Sequence, residues 1–170
     1  MADLTTITLP NNSSYNISDD YSKWGGENLL KNIPKHITPT MYECASYYFS
    51  KPLIAGETYT LQVWFTNSGR NAIGGWVGGG SYSIGTMAAI DNDSTYAKWT
   101  FVATSAQASA NQWMNIYAST TGGTQGSTAI SGTLTISKAK LEKGHKATDW
   151  SPCYKDIFTV SGTQLEVNIL

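Results

Sequence analysis

Residues 133–156 read TLTISKAKLEKGHKATDWSPCYKD. Leu134 and Ile136 alternate with Thr133, Thr135 and Ser137, the period-two pattern of a strand with one face in a core. Ala139 and Leu141 follow, Gly144 between charged residues marks a turn, and Pro152 stops further regular pairing. Trp150 then offers a large apolar plate. The stretch reads as the last strand of a β-domain whose end is pinned by one buried tryptophan.

Upstream, the clearest strand is Tyr59 to Thr66. Tyr59, Leu61, Val63 and Phe65 point one way, into a core; Thr60, Gln62, Trp64 and Thr66 point the other. That second face is mostly polar with a single tryptophan, as a ligand-facing sheet would be written. Tyr96 to Thr104 alternates in the same manner, with Ala97, Trp99, Phe101 and Ala103 on the core side. Trp113 to Ala118 sets Met114, Ile116 and Ala118 against Trp113, Asn115 and Tyr117. Residues 41–50, MYECASYYFS, are rich in strand formers. Residues 33–39 carry two prolines and exclude a long helix. Asn67 to Gly85, with Gly74-Gly75 and Gly78-Gly79-Gly80, reads as a loop carrying Trp76 and Tyr82. Short strands, many Gly/Ser/Thr turns and hardly any helical periodicity argue for an all-β antiparallel sandwich.

The 170 residues are enough for one full core with small appendages. Residues 28–156 form the main domain. Residues 1–27 read as an N-terminal β arm and linker, and 157–170 as a C-terminal β tail around Ser161-Gly162. Only 14% of residues are charged and the net charge is −1, which points away from nucleic acid and from anionic membranes. No run approaches the ~20 apolar residues of a membrane helix. Met1 to Pro10 lacks the basic start and apolar run of a signal peptide, so synthesis in a cytoplasm is expected. A Cys44–Cys153 disulfide is conceivable; cytosolic synthesis favours free thiols. Six Trp and ten Tyr against four Phe suit a surface that binds while staying wet, although strands also favour aromatics.

Ala139 to Pro152, A-K-L-E-K-G-H-K-A-T-D-W-S-P, resembles the closing signature of jelly-roll, carbohydrate-binding-module-like domains of bacteriophage tail, fibre and head-fibre proteins. Those relatives usually continue Ala-Pro-Glu-Asp, where this chain has Cys153, Tyr154, Lys155 and Asp156. Asn28-Leu29-Leu30-Lys31-Asn32 and the segment from Lys51 to Leu61 resemble the opening of the same domains. The resemblance implies a galactose-binding-like jelly roll, a virion location after synthesis in a bacterial host, attachment to other virion proteins through the N-terminal arm, and a homotrimer. It also implies a host-surface or mucosal glycan as ligand.

Motifs of catalysis are sparse. There is no nucleophile elbow, phosphate loop, CxxC or HExxH. His36 and His145 lie far apart among loop residues, and Glu43, Glu57, Asp91, Asp93, Glu142 and Asp149 show no pairing that predicts a cleft. Asp91-Asn92-Asp93-Ser94 resembles half of a calcium loop; such tetrads are more often plain turns, while the family resemblance extends to a structural calcium at Asp91 and Asp93. Sugars stack their C–H faces on indole and phenol rings beside amide partners. Trp64 with Gln62, Trp113 and Tyr117 with Asn115, and the loop residues Trp76 and Tyr82 form the candidate glycan set. The expectation is a non-catalytic virion subunit with an adhesive jelly roll. The alternatives are a decoration or assembly protein that uses these rings between subunits, and then a carbohydrate-active enzyme fragment.

Overall fold

Two long strands organise the molecule, and they pair with each other. In the computed structural model, which describes residues 26–110, 112–120 and 130–153 in full and four short flanking strands by their backbone, β5 (Thr58–Ser68) runs antiparallel to β11 (Thr133–Lys143). With β9 (Tyr96–Val102) on the other side of β5 they make a three-stranded sheet. The facing sheet runs β3 (Leu30–Ile37), β4 (Glu43–Phe49), β10 (Trp113–Ser119), β6 (Ala72–Val77) and β7 (Tyr82–Ser83), with β8 (Ala88–Ala89) also on β6. One short helix, α1 (Ser105–Ser109), begins at a Thr104–Gln107 capping box. Outside the two sheets, β1 (Thr6–Thr8) pairs with β2 (Ser14–Asn16), and β12 (Phe158–Ser161) with β13 (Gln164–Val167).

This is the expected antiparallel sandwich. Leu61, Val63 and Phe65 meet Leu134, Ile136 and Leu141 within one sheet, and Tyr47, Ile73, Val77, Met114 and Ile116 come from the other, all at most 5% exposed. Each such side chain contributes ~1.5–3 kcal/mol relative to exposure. Strict alternation from Leu134 would carry Lys138, Lys140 and Glu142 inward. A bulge between Ile136 and Lys138 prevents this: it switches the parity, so that Ala139 and Leu141 enter the core and the three charged residues lie outside.

Two expectations are corrected here. Residues 67–85 are not all loop, because Ala72–Val77 is an interior strand. Its glycines serve packing: a Cβ on Gly75 would lie 2.8 Å from Ile84 and 2.9 Å from Leu61, and one on Gly74 would lie 2.7 Å from the Trp76 ring. Trp150 is not a buried plug. It is 38% exposed, whereas Trp99, a true core indole, is 8% exposed. The closing segment is pinned instead by amide side chains. Asn28 donates to the carbonyls of Ala139 and Ser151 and accepts from the amides of Leu30 and Leu141. Asn32 exchanges two bonds with the Cys153 backbone. The two sequence motifs that resemble one family are therefore in direct contact. Pro34 is accommodated because β3 is an edge strand, with its register broken there.

Cys44 and Cys153 are both buried and are not joined by a disulfide. Burial pushes both the Cys44 thiol and the Tyr47 phenol up to about 12. Above pH ~9 the unfolded chain starts to lose protons that the folded chain keeps, so stability is complete below that pH and declines as pH rises toward the folded values. Unfolding free energies from urea titration should hold steady from pH 7 to 8.5 and then drop, by at most ~1.4 kcal/mol per pH unit for each group. Cys44→Ala should remove the part of the decline that begins first. A flat profile between pH 9 and 11 would contradict this account.

Candidate functional site

The outer face of the six-stranded sheet collects most of the candidate residues. Cross-strand register sets His36 beside Ser46, Ser46 beside Asn115, Asn115 beside Trp76 and Trp76 beside Ser83. Side chains so paired stand ~5 Å apart at Cβ. Tyr117 and Glu43 form the neighbouring row on one side, Trp113 and Tyr48 the row on the other. The core-facing alternates Met114, Ile116 and Ala118 are fully buried, which fixes the direction of the set.

Glu43 is the hub. Its Oε1 lies 2.9 Å from His36 Nε2 and accepts from Asn115 Nδ2 at 2.7 Å, and its Oε2 accepts from the Tyr117 hydroxyl at 3.1 Å. Burial and the adjacent carboxylate hold the Tyr117 phenol far above its ordinary range, so it remains a donor. Around the hub, Trp76 stands edge-on to Tyr117 with centroids 5.0 Å apart, and Tyr42 packs on Tyr117 at 4.9 Å. Tyr48 meets Trp113 edge-on at 6.5 Å, and the Lys35 ammonium lies 3.9 Å over the Trp113 ring. The turn at Gly78–Gly80 passes close above: a Cβ on Gly80 would lie 2.5 Å from the Tyr117 hydroxyl oxygen.

Two polar atoms in this row have no hydrogen-bond partner among the described residues: Ser46 Oγ and Asn115 Oδ1. They are cross-strand neighbours, both buried. A buried polar atom left unpaired costs ~1–3 kcal/mol, and both atoms are closed off from solvent beneath the face.

The candidate set does not assemble as one site. Trp76, Trp113, Asn115 and Tyr117 share this face, although Asn115 and Tyr117 are buried rather than outward and free. Tyr82 pairs with the core residue Val77 and so belongs to the other face of the edge strand β7. Gln62 and Trp64 lie on the opposite sheet. There the outer residues of β5, which sequence alternation left open, are partly roofed by the chain after Gly144. Thr60 and Gln62 are buried, and Trp64 is half-buried. Gln62 donates to Glu142 Oε1 and the Thr148 carbonyl and accepts from the Tyr96 hydroxyl, so its amide is satisfied within the protein. Trp64, Tyr96, Lys138, Asp149 and Trp150 surround an open groove of about 460 Å³ beside it.

Sequence reading missed Ser46 and the partnership of His36 with Glu43. His36, Glu43 and Ser46 come from the consecutive strands β3 and β4, but the register that aligns them, and the β10 residues they meet 72 positions on, are set only by pairing. Asp91 and Asp93 sit in a tight turn, where Asp91 Oδ1 accepts from the Asp93 amide at 3.2 Å and from the Ser94 hydroxyl at 2.7 Å. The Ser94 bond holds the Asp91 carboxyl below its ordinary value. Among the described residues, no three His, Cys, Asp or Glu cluster as metal ligands would.

No protein-family model matches the chain, and no curated protein does. Among solved structures it is similar to the apo form of BiXyn10A CBM1, with 14% identity, a TM-score of 0.41, and 70% of this chain and 89% of that one covered. It is similar to a CBM4 structure, at 17% identity and a TM-score of 0.40, over 71% of this chain and 92% of that one. It is also similar to the tripod (BppUct-A-L) from the baseplate of bacteriophage Tuc2009, at 15% identity and a TM-score of 0.44, over 92% of this chain and 69% of that one.

Proposed function

We propose that this chain is a non-catalytic structural subunit of a bacteriophage virion, of the fibre, tail or head-fibre kind, and that it binds glycan on the outer face of its six-stranded sheet. The observation that carries the binding reading is the aromatic row on that face, Trp76 edge-on to Tyr117 and Trp113 edge-on to the exposed Tyr48, with the partly exposed His36 and Glu43 beside it. Sugar hydroxyls bond to His36 and Glu43, the partly exposed polar groups of the face. The C–H face of the sugar then lies on an indole, where Lys35 now covers Trp113 with a flexible, exposed arm that a ligand displaces. Glu43 is held as an acceptor by Asn115 and Tyr117, with His36 Nε2 at 2.9 Å, which suits a positioning role better than proton transfer.

The virion setting is supported by the closing motif from Ala139 to Pro152 and its partner Asn28 to Asn32. In that setting residues 1–27 attach the subunit, and a homotrimer multiplies weak single sites into useful avidity. A glycan array of bacterial and mucosal sugars, read with the wild-type chain and with Trp113→Ala and Trp76→Ala, tests the site. Wild-type binding should fall roughly tenfold, equivalent to ~1.4 kcal/mol, in each variant while the β-sheet signature in far-UV circular dichroism is retained. Equal binding by wild type and variants would remove glycan from this face. No glycan bound by wild type, with a changed oligomeric state in Trp113→Ala, would return the rings to subunit packing.

A further inference from the structure

We propose that the groove on the three-stranded sheet is a second, separate carbohydrate site, taking a single neutral pyranose unit, so that one chain can hold two sugar chains at once. The groove and the face described above lie on opposite sides of the core, and neither reading requires the other.

The walls have the chemistry of sugar recognition. Register places Lys138, Trp64 and Tyr96 in one row across β11, β5 and β9. Trp64 and Tyr96 are inclined at 51° with centroids 5.3 Å apart and make an aromatic corner. Trp150 stands on the other side, with Lys138 Nζ 5.1 Å from its ring centroid. About 460 Å³ lies between them, within the ~300–1,000 Å³ of small-molecule sites.

The charges select for neutrality. Lys138 and Asp149 line the groove with opposite signs, and the buried Lys140–Glu142 pair beneath cancels itself. Lys98, next along β9, is exposed beyond the groove lining. An ammonium would face Lys138 and a carboxylate would face Asp149. A hydroxyl can accept from the first and donate to the second.

The floor is already built. Gln62 is fixed by Tyr96, Glu142 and Thr148, and Lys140 holds the Thr148 hydroxyl at 2.6 Å and the Asp149 carbonyl at 2.7 Å. The segment presenting Trp150 is thus clamped from below while its indole stays accessible. Binding therefore spends little on ordering the protein.

Each of the six tryptophans contributes one indole N–H resonance, assignable in the full chain by Trp→Phe variants. The probes are methyl β-glucoside, methyl β-galactoside and methyl N-acetyl-β-glucosaminide, with glucuronate and choline chloride as charged controls. At least one neutral glycoside should shift the Trp64 and Trp150 signals. The Trp64 shift should disappear in Trp150→Ala, while the core Trp99 signal, anchored on the Thr86 carbonyl, stays in place as a check of folding. Shifts confined to Trp76 and Trp113 would retain the first face and overturn this one. An unmoved Trp64 and Trp150, a response to the charged controls alone, or an undiminished Trp64 shift in Trp150→Ala would also overturn it.

Discussion

Arg70→Ala should destabilise the chain by about 3–5 kcal/mol in urea unfolding at pH 7, from the several hydrogen bonds of a charged donor lost together. The side chain is 1% exposed, and its guanidinium is shared among backbone carbonyls. Nη1 donates to Ala118 at 3.1 Å; Nη2 donates to Pro39 at 3.1 Å, Met41 at 3.4 Å and Ile130 at 3.5 Å. Those carbonyls belong to the β3–β4 connection, the end of β10 and the approach to β11. One fork thus ties three distant crossings at one end of the sandwich. Burial lowers the pKa of the group, which remains charged at neutral pH because guanidinium starts so high. Arg70→Lys should recover little, since an ammonium on a flexible stem cannot span the same carbonyls. Against a total stability of ~5–15 kcal/mol, the Ala variant should be partly unfolded at 37 °C. A loss under about 1 kcal/mol would show that water replaces the fork without penalty.

Glu142→Gln should cost a comparable ~3–5 kcal/mol, because it strands a buried ammonium. Lys140 and Glu142 are 0% and 1% exposed at the side chain, with Nζ 3.4 Å from Oε2. The carboxylate also accepts from the Gly26 amide, the Gln62 amide group, and both the amide and the hydroxyl of Thr148. Burial pulls the Lys140 ammonium below its ordinary pKa, with Glu142 pulling it back. In the Gln variant only the first of these remains at full strength. Adding Lys140→Met should restore part of the loss, since removing both charges of a buried pair is far less damaging than removing one. The same variant should loosen the segment from Gly144 to Trp150, quench the Trp64 and Trp150 responses together, and leave Trp76 and Trp113 as they were. If the double variant were less stable than Glu142→Gln, charge burial would not be the reason.

Much of the architecture is legible in the residues themselves. Alternation identified β5, β9 and β10 with the correct core faces, because burial on a strand follows a period of two that any short window displays. The motif at Ala139 to Pro152 located the closing strand, and the Gly144 turn is present with φ at +109°. The glycines of β6 misled because their small size relieves crowding from Ile84, Leu61 and Trp76, a packing demand that residue composition reads as a loop.

The chain by itself determined which residues turn away from water, since hydrophobic periodicity is local. Only the tertiary structure decided what becomes of the outward faces. The bulge after Ile136 sent Lys140 and Glu142 outside, and the returning segment buried them there. Asn28 and Asn32 took over the anchoring expected of Trp150, which released that indole to solvent. The cover over an outer face comes from residues tens of positions away, and its energetics are long-range hydrogen bonds and paired charges that carry no periodic signature.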